Sequence, residues 1–251
     1  MHYKFLKKIL GAIGYKIIDK NLIKNDRLIS NYTYLTINRI LKDLFDNQLV
    51  NYIIQIGSND GERFDDLNYF IKKFNPKTVF VEPIKSNFDE LKKNYPDHKN
   101  FIFENLAISV DNEINQLFKV KTSKLHLYDD HVIGITSFDY NHLVKHGVSK
   151  NHIESENVKS ISIGNLLKKH SINNFDLLCI DTEGYDANIV FDFLSNSEIK
   201  PIILFEYIHT KNKVLNNVLK LLKDKKYILF KIEENILCLP EEKKIRLKLS
   251  N

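Results

Sequence analysis

Three acidic residues stand where buried apolar runs stop. Glu82 follows Thr78 to Val81, Asp181 follows Phe175 to Ile180, and Glu206 follows Pro201 to Phe205. Each reads as the last position of a buried parallel strand. Parallel strand ends face one edge of a sheet, and open α/β folds bind their ligands there. Neighbouring strands lie about 4.8 Å apart, so acids on adjacent ends converge within about 5–10 Å. Such acids are costly unless paired, hydrogen-bonded or neutralised by a cation. Grouped in this way they can accept hydrogen bonds from hydroxyls, take a proton from a nucleophile or hold a metal ion.

A second chemical feature is the stretch VNYIIQIGSNDGERF, residues 50 to 64. Tyr52 to Ile56 is rich in β-branched residues and predicts a buried strand. The chain then turns through Gly57, Ser58, Asn59, Asp60 and Gly61 before an amphipathic segment begins. A strand entering a glycine-bearing turn and then a helix presents backbone N–H groups to a ligand. Gly57 and Gly61 lack a Cβ, so the turn can be sharp and a ligand can lie on it. An acid about 20 residues beyond such a turn, at the end of the second strand, is placed to accept hydrogen bonds from ribose hydroxyls. Glu82 holds that place.

The elements that must position these residues alternate along the chain. Phe64, Leu67, Phe70, Ile71 and Phe74 recur at helical spacing, and Asn75-Pro76 stops that helix. Ser86 is the expected N-cap of a helix running to Tyr95, with Asp89 three residues on. Phe101 to Phe103 is a third strand, and the pace of alternation predicts βαβ units and a parallel sheet. Residues 111 to 157 break the rhythm. Ile114 to Val120 reads as an extra strand, and the polar stretch beyond it carries His126, His131, His142, His146 and His152. His142 and His146 are four apart, but no nearby residue completes a metal site. Long insertions in compact domains are commonly functional, so 111–157 reads as a substrate-side loop or lid. The sheet is expected to resume at Val158 to Ile163. A helix follows from Asn165 to His170, another from Asp186 to Leu194, and a third through Val214 to Leu222. Tyr227 to Ile232 and Ile236 to Leu239, split by Glu233-Glu234-Asn235, read as a closing hairpin.

The chain has 251 residues, 43% of them hydrophobic and 27% charged, which suits one soluble α/β domain with an extension. A net charge of +5 from 37 basic and 32 acidic residues is too small to argue for nucleic acid, and no basic-aromatic stripe is present. Cys179 and Cys238 sit inside apolar runs and read as core residues of a reducing compartment. No run approaches the roughly 20 apolar residues of a membrane span, and a secretory signal is not expected, so the protein reads as cytoplasmic. Residues 3 to 18 have Phe5, Leu6, Ile9, Leu10 and Ile13 on one helical face and lysines elsewhere. That pattern belongs to a helix packed on the domain or to one resting on an anionic membrane surface. The divisions expected are a helical extension over 1–48, the main domain over 49–240 and a lysine-rich tail over 241–251.

Taken together, residues Asn51 to Tyr207 resemble the FkbM family of S-adenosylmethionine-dependent methyltransferases. The most specific piece runs from Ile161 to Glu183: a strand, a helix bearing Leu166-Leu167, then FDLLCIDTEGYD. The segments FVEP (80–83), NLAIS (105–109) and ILFEY (203–207) fall in the family's order. Gln55 and Asn59 depart from the pattern, standing where an acid and a glycine are common. The resemblance implies a Rossmann-like class I methyltransferase fold, with a mostly parallel seven-stranded sheet, an antiparallel last strand and helices on both faces. It also implies a methyl donor over Gln55 and Gly57 to Gly61, its ribose on Glu82 beside Pro83 and its adenine near Asn105, Leu106 and Ala107. Asp181 and Glu183 would face the transferred methyl group.

The Asn-Pro-Pro-Tyr motif of amino-methylating enzymes is absent, which fits an oxygen acceptor. The activity implied is O-methylation of a sugar hydroxyl in a surface glycan. A base is then required within reach of the acceptor, and Asp181, Glu183, Glu206 and His209 are the candidates. Asp181 is preferred, as base or as metal ligand, because its strand fixes its direction. Related sugar methyltransferases hold Mg²⁺ on acids at this strand end, which makes Asp181 and Glu206 the candidate ligands here. Two other readings are a nucleic-acid methyltransferase and a membrane-peripheral interaction protein with a degenerate donor pocket.

Overall fold

The computed structural model describes residues 36–243 apart from 97–98 and 111–113. The amphipathic stretch 3–18, with its possible membrane contact, and most of the tail lie outside the described residues. Thr36 caps the first described helix, α1 (Ile37–Asp46), its hydroxyl accepting from the Arg39 N–H. Ile40, Leu41, Leu44 and Phe45 of α1 are buried in the core, so a division at residue 48 would cut through one packed unit.

Seven strands form the main sheet: β1 (Tyr52–Ile56), β2 (Lys77–Val81), β3 (Phe101–Glu104), β7 (Leu177–Ile180), β8 (Ile202–Glu206), β9 (Tyr227–Ile232) and β10 (Asn235–Pro240). Their spatial order is β3-β2-β1-β7-β8-β10-β9. The first five are parallel, and β10 runs antiparallel to both β8 and β9. The order reverses between β1 and β7, the kind of switch point at which α/β sheets open a crevice.

Successive residues of a strand point to opposite faces, and both faces here are covered. Ile53, Phe80, Leu177 and Leu204 pack toward α1, α2 (Asn68–Phe74) and α3 (Lys85–Asn94). Ile54, Val79, Leu178 and Ile203 pack the other way, toward α6 (Ile163–Lys169), α7 (Asp186–Asn196) and α8 (Asn212–Asp224). Continuous apolar runs in β1, β2, β7 and β8 are the sequence's response to that double burial. The expected cap at Ser86 is displaced: α3 begins at Lys85, its N-cap position is Ile84, and no side chain caps it.

The insertion builds a second sheet. β6 (Ile153–Ile161) pairs in parallel with the short β4 (Ala107–Ile108) and antiparallel with β5 (Ile114–Val120). Val158 to Ile161 therefore does not resume the main sheet, contrary to the sequence expectation. Alternating exposure along β6 suits a strand with one wet face. Between β5 and β6 lie α4 (Asp130–Gly134) and α5 (Tyr140–Lys145), packed on a small core of Val120, Ile135, Leu143, Val148 and Ile153.

Candidate functional site

The strand register lines up the chemistry. Ile56 pairs with Val81 on one side and Ile180 on the other, and Ile180 pairs with Phe205. The next residue on each strand or just beyond it is Gly57, Glu82, Asp181 and Glu206, a single row along the sheet edge. All four line one cavity of about 320 Å³. Gln55, Ser58, Asn59, Pro83, Leu106, Ala107 and Glu183 line it too. From the insertion come Gly134, Thr136 and Phe138, so the insertion walls the cavity from the side.

Several expected donor-side residues do other work. Asp60 does not line the cavity. Its carboxylate accepts from the N–H groups of Glu62 and Arg63 and pairs with Arg63 Nε at 2.5 Å, holding the loop in shape. Gly61 is a glycine because a Cβ would lie 2.5 Å from Leu91 Cδ1 and 2.6 Å from Tyr95 Cε2 of the neighbouring segment. Asn105 is a clamp, its amide donating to the carbonyls of Glu82 and Pro83. Gly57 does line the cavity, but its missing Cβ makes room for protein: φ is +81°, and a Cβ would sit 1.7 Å from the Asp181 carbonyl oxygen.

Glu82 is 3% exposed, and its two oxygens accept from the N–H groups of Asn59 (2.9 Å) and Ile84 (2.8 Å). Burial raises its pKa to about 7 against the pull of those two N–H groups. Gln55 gives its amide N–H to Asp65 Oδ1 at 3.0 Å. Gln55 Oε1 and Asp65 Oδ2 are buried without a partner among the described residues, and both residues line the cavity. Asp65 thus brings a carboxylate, through space, to the strand that lacks one at Gln55. The residues that sequence reasoning missed are of this kind: Asp65, Asp66, Asn87, Phe138 and Asn235 also line the cavity. Only the acidic pair behind the glycine turn offered a sequence signal for any of them.

The other end of the cavity is crowded with acid. Asp181 accepts no hydrogen bond from the described residues and opens to the cavity. Protein packed around it, then Asp186 and Glu183, push its pKa well up, while solvent in the cavity moderates that push. Glu206 is pushed to about 9, by burial first and then by Asp181, Asp186 and Glu183. Its Oε2 is buried without a partner among the described residues. Burial would also raise Glu183, but a 3.0 Å hydrogen bond with His142 Nε2 and the nearby His209 and His146 hold it below its ordinary value. Glu183 has φ +52°, a left-handed conformation that is uncommon for a side-chain-bearing residue and recurs at functional sites. The loop is held by Asp186, which accepts from Thr182 N, Thr182 Oγ1 and Gly184 N.

His209, expected as a catalytic candidate, does not line the cavity. Its Nε2 lies 3.8 Å from both Glu183 and Glu206, behind the wall. The expected metal pair of Asp181 and Glu206 is also revised. Among the described residues, donor atoms cluster as His142, His146 and His209 and as Glu183, Glu206 and His209, and Asp181 joins neither group.

A sheet of this order, with its site at the switch point, defines the class I methyltransferase architecture. Residues 55–229 match the sequence profile of the Methyltransferase FkbM domain, and the chain belongs to that family of S-adenosylmethionine-dependent methyltransferases. No curated protein matches it in sequence. An O-methyltransferase from Bacillus cereus, solved with SAH, shares 10% identity over 93% of this chain and 96% of its own, with a TM-score of 0.43. Methyltransferase FkbM from Methylobacillus flagellatus KT shares 11% identity over 76% of this chain and 44% of its own, with a TM-score of 0.45. TomG from Streptomyces achromogenes, an O-methyltransferase of tomaymycin synthesis solved with SAM, shares 9% identity over 94% and 96%, with a TM-score of 0.37. At these scores the family assignment rests on the sequence match alone.

The cavity fits the donor by its chemistry. S-adenosylmethionine carries a sulfonium and an ammonium, and the cavity offers unpartnered acceptors on Gln55 and Asp65. Apolar Leu106, Ala107 and Ile108 supply a surface for a flat ring. Among the described residues, no helix is long and apolar enough to cross a membrane.

Proposed function

We propose that this methyltransferase acts on a hydroxyl oxygen of a sugar, in a glycan or glycan precursor. The observation that carries the reading is the single row of Glu82, Asp181 and Glu206 along one cavity. Its donor end is hydrogen-bonded by backbone, and its other end is an open carboxylate. Bound there, S-adenosylmethionine supplies a methyl group on a sulfonium, which an acceptor oxygen displaces in line. Glu82, with lone pairs beyond those taken by Asn59 and Ile84, accepts from the ribose hydroxyls. Asp181, whose ionised form the donor's sulfonium favours once bound beside it, takes the acceptor's proton: its strand fixes its direction, and no described side chain competes for its oxygens. With no cation beside it Glu206 is largely protonated at neutral pH, because its pKa lies near 9, which disfavours it as the base.

Polar walls at Arg63, Asp66, Asn87, Glu234 and Asn235 favour a polyhydroxylated acceptor over an apolar one. The acid-rich rim disfavours a phosphate backbone beside the transferred methyl group, which weighs against nucleic acid. The test is binding followed by turnover. Calorimetry should show S-adenosylmethionine binding. A donor-loaded screen of extracted glycans and nucleotide sugars, read by mass, should show one added methyl. Asp181→Asn should keep donor binding and lose turnover on the order of 10²–10⁴-fold. Undiminished turnover would remove Asp181 from the mechanism, and methylation confined to non-carbohydrate acceptors would remove the sugar.

A further inference from the structure

The imidazoles of His142 and His146, one turn apart at the end of α5, meet that of His209 from the loop after β8. Ring centroids are 4.6 Å apart for His142–His146, 4.5 Å for His142–His209 and 5.0 Å for His146–His209. His142 is 7% exposed. Glu183 reaches two of these rings, its Oε2 lying 3.0 Å from His142 Nε2 and 3.8 Å from His209 Nε2. Within the histidine group, and within the overlapping group of Glu183, Glu206 and His209, the candidate donor atoms lie within 4.8 Å of one another. The Glu183 hydrogen bond accounts for one imidazole. The three imidazoles together make a set of nitrogen donors close enough for one ion to share. Glu206 adds an independent sign, a buried carboxylate oxygen with no partner among the described residues.

We infer that His142, His146, His209 and Glu183 bind one divalent transition metal ion, with Glu206 as the adjoining carboxylate. Three imidazoles and a carboxylate suit zinc, cobalt, iron or manganese and exclude a magnesium-type site, which takes oxygen donors and retains water. Donors about 2.0–2.1 Å from a shared tetrahedral ion lie roughly 3.3 Å from one another, so the pairs at 3.0 and 3.8 Å need only small side-chain shifts. The i, i+4 spacing of His142 and His146 puts both on one helix face. Glu183 and His209, distant in sequence, complete the site that the insertion alone lacks.

The ion has a structural consequence. α5 belongs to the insertion, whereas Glu183 and His209 belong to the loops after β7 and β8. Ser137 Oγ donates to the Glu183 carbonyl at 3.0 Å, and Phe138 packs edge-on against Tyr185 at 5.0 Å. The metal joins those contacts as a staple that fixes the insertion against the catalytic rim. The assignment rests on the donors and not on which acceptor is methylated.

The test uses the untagged full chain, stripped with a chelator and titrated with Co²⁺ and then Zn²⁺. One Co²⁺ per chain should bind with visible ligand-field absorption, and Zn²⁺ should displace it. His142→Ala and His209→Ala should each weaken Co²⁺ binding on the order of 100-fold or more, since losing an outer-shell partner alone costs about 10–100-fold. His126→Ala, an exposed histidine of the same insertion, should change nothing. X-ray absorption of the Zn²⁺-loaded native chain needs no variant to fold, and should show three imidazoles at about 2.0–2.1 Å. Two or fewer imidazoles, no uptake of Co²⁺, displacement by Mg²⁺, or equal loss in His126→Ala would each overturn the assignment. These readouts follow metal rather than turnover, so their failure leaves the methyltransferase reading untouched.

Discussion

The two ends of the cavity are built on opposite principles. At the β1–β2 end, Glu82 is buried and both of its oxygens are met by backbone N–H groups, from Asn59 and Ile84. Folding finishes that end without a ligand. At the β7–β8 end, Asp181 accepts nothing from the described residues, Glu206 has a buried oxygen with no partner there, and Glu183 leans on histidines from another element. That end leaves acidic groups without partners among the described residues, an arrangement that costs stability and is retained where a cationic or proton-donating ligand supplies the balance. On the proposed reading, the contrast separates a preformed socket for the nucleoside from an acidic face turned toward the reacting groups.

The largest expected effect tests the seam between the two ends. Gly57→Ala would drive a Cβ to 1.7 Å from the Asp181 carbonyl oxygen at φ +81°, so β1 and β7 must part. A loss of more than about 3 kcal/mol is expected in urea unfolding, with little folded chain recovered. A near-native midpoint would mean that the strand ends are looser than their register implies. Next comes Glu82→Ala, which strands two buried N–H groups and should cost about 2–4 kcal/mol along with donor binding. Asp181→Asn should lose no stability and should gain some at neutral pH, because no protein contact is lost and the repulsion from Asp186 and Glu183 is relieved. If the two acids proved equally costly to replace, the socket-and-face distinction would fail.

The row itself was legible in the sequence because it depends only on where apolar runs end. Buried parallel strands announce themselves as continuous apolar stretches, so the positions of Glu82, Asp181 and Glu206 followed directly. The insertion was not legible in the same way. β6 alternates wet and dry residues, and nothing local says whether its partner is the main sheet or β5. Asp65 reaches Gln55, and His209 reaches His142, only through the fold. Asp60, Gly61 and Asn105 stood in the expected places but serve the loop's own hydrogen bonds and packing. Motif position does not distinguish a glycine that admits a ligand from one that admits a leucine and a tyrosine.

A further expected effect separates the two ends by pH. Glu82 has its pKa raised by burial from 4.5 to about 7, with Glu156 and Asp60 adding to the rise. The folded chain therefore holds a proton that the unfolded chain has released between those values. The associated stability is fully present below about pH 4.5, drains as pH rises and is gone above 7. Asp65, raised from 3.8 to about 6, adds to the early part of that loss. Glu206, raised to about 9, carries the loss on into alkaline solution. Melting temperature followed from pH 5 to 9 should thus fall throughout in the ligand-free chain. Glu82→Gln, which is neutral at every pH, should flatten the curve below about 7 and leave the alkaline part unchanged. A variant curve parallel to the parent's across the whole range would assign the pH sensitivity to the β7–β8 end alone, and would make the backbone-satisfied acid electrostatically silent.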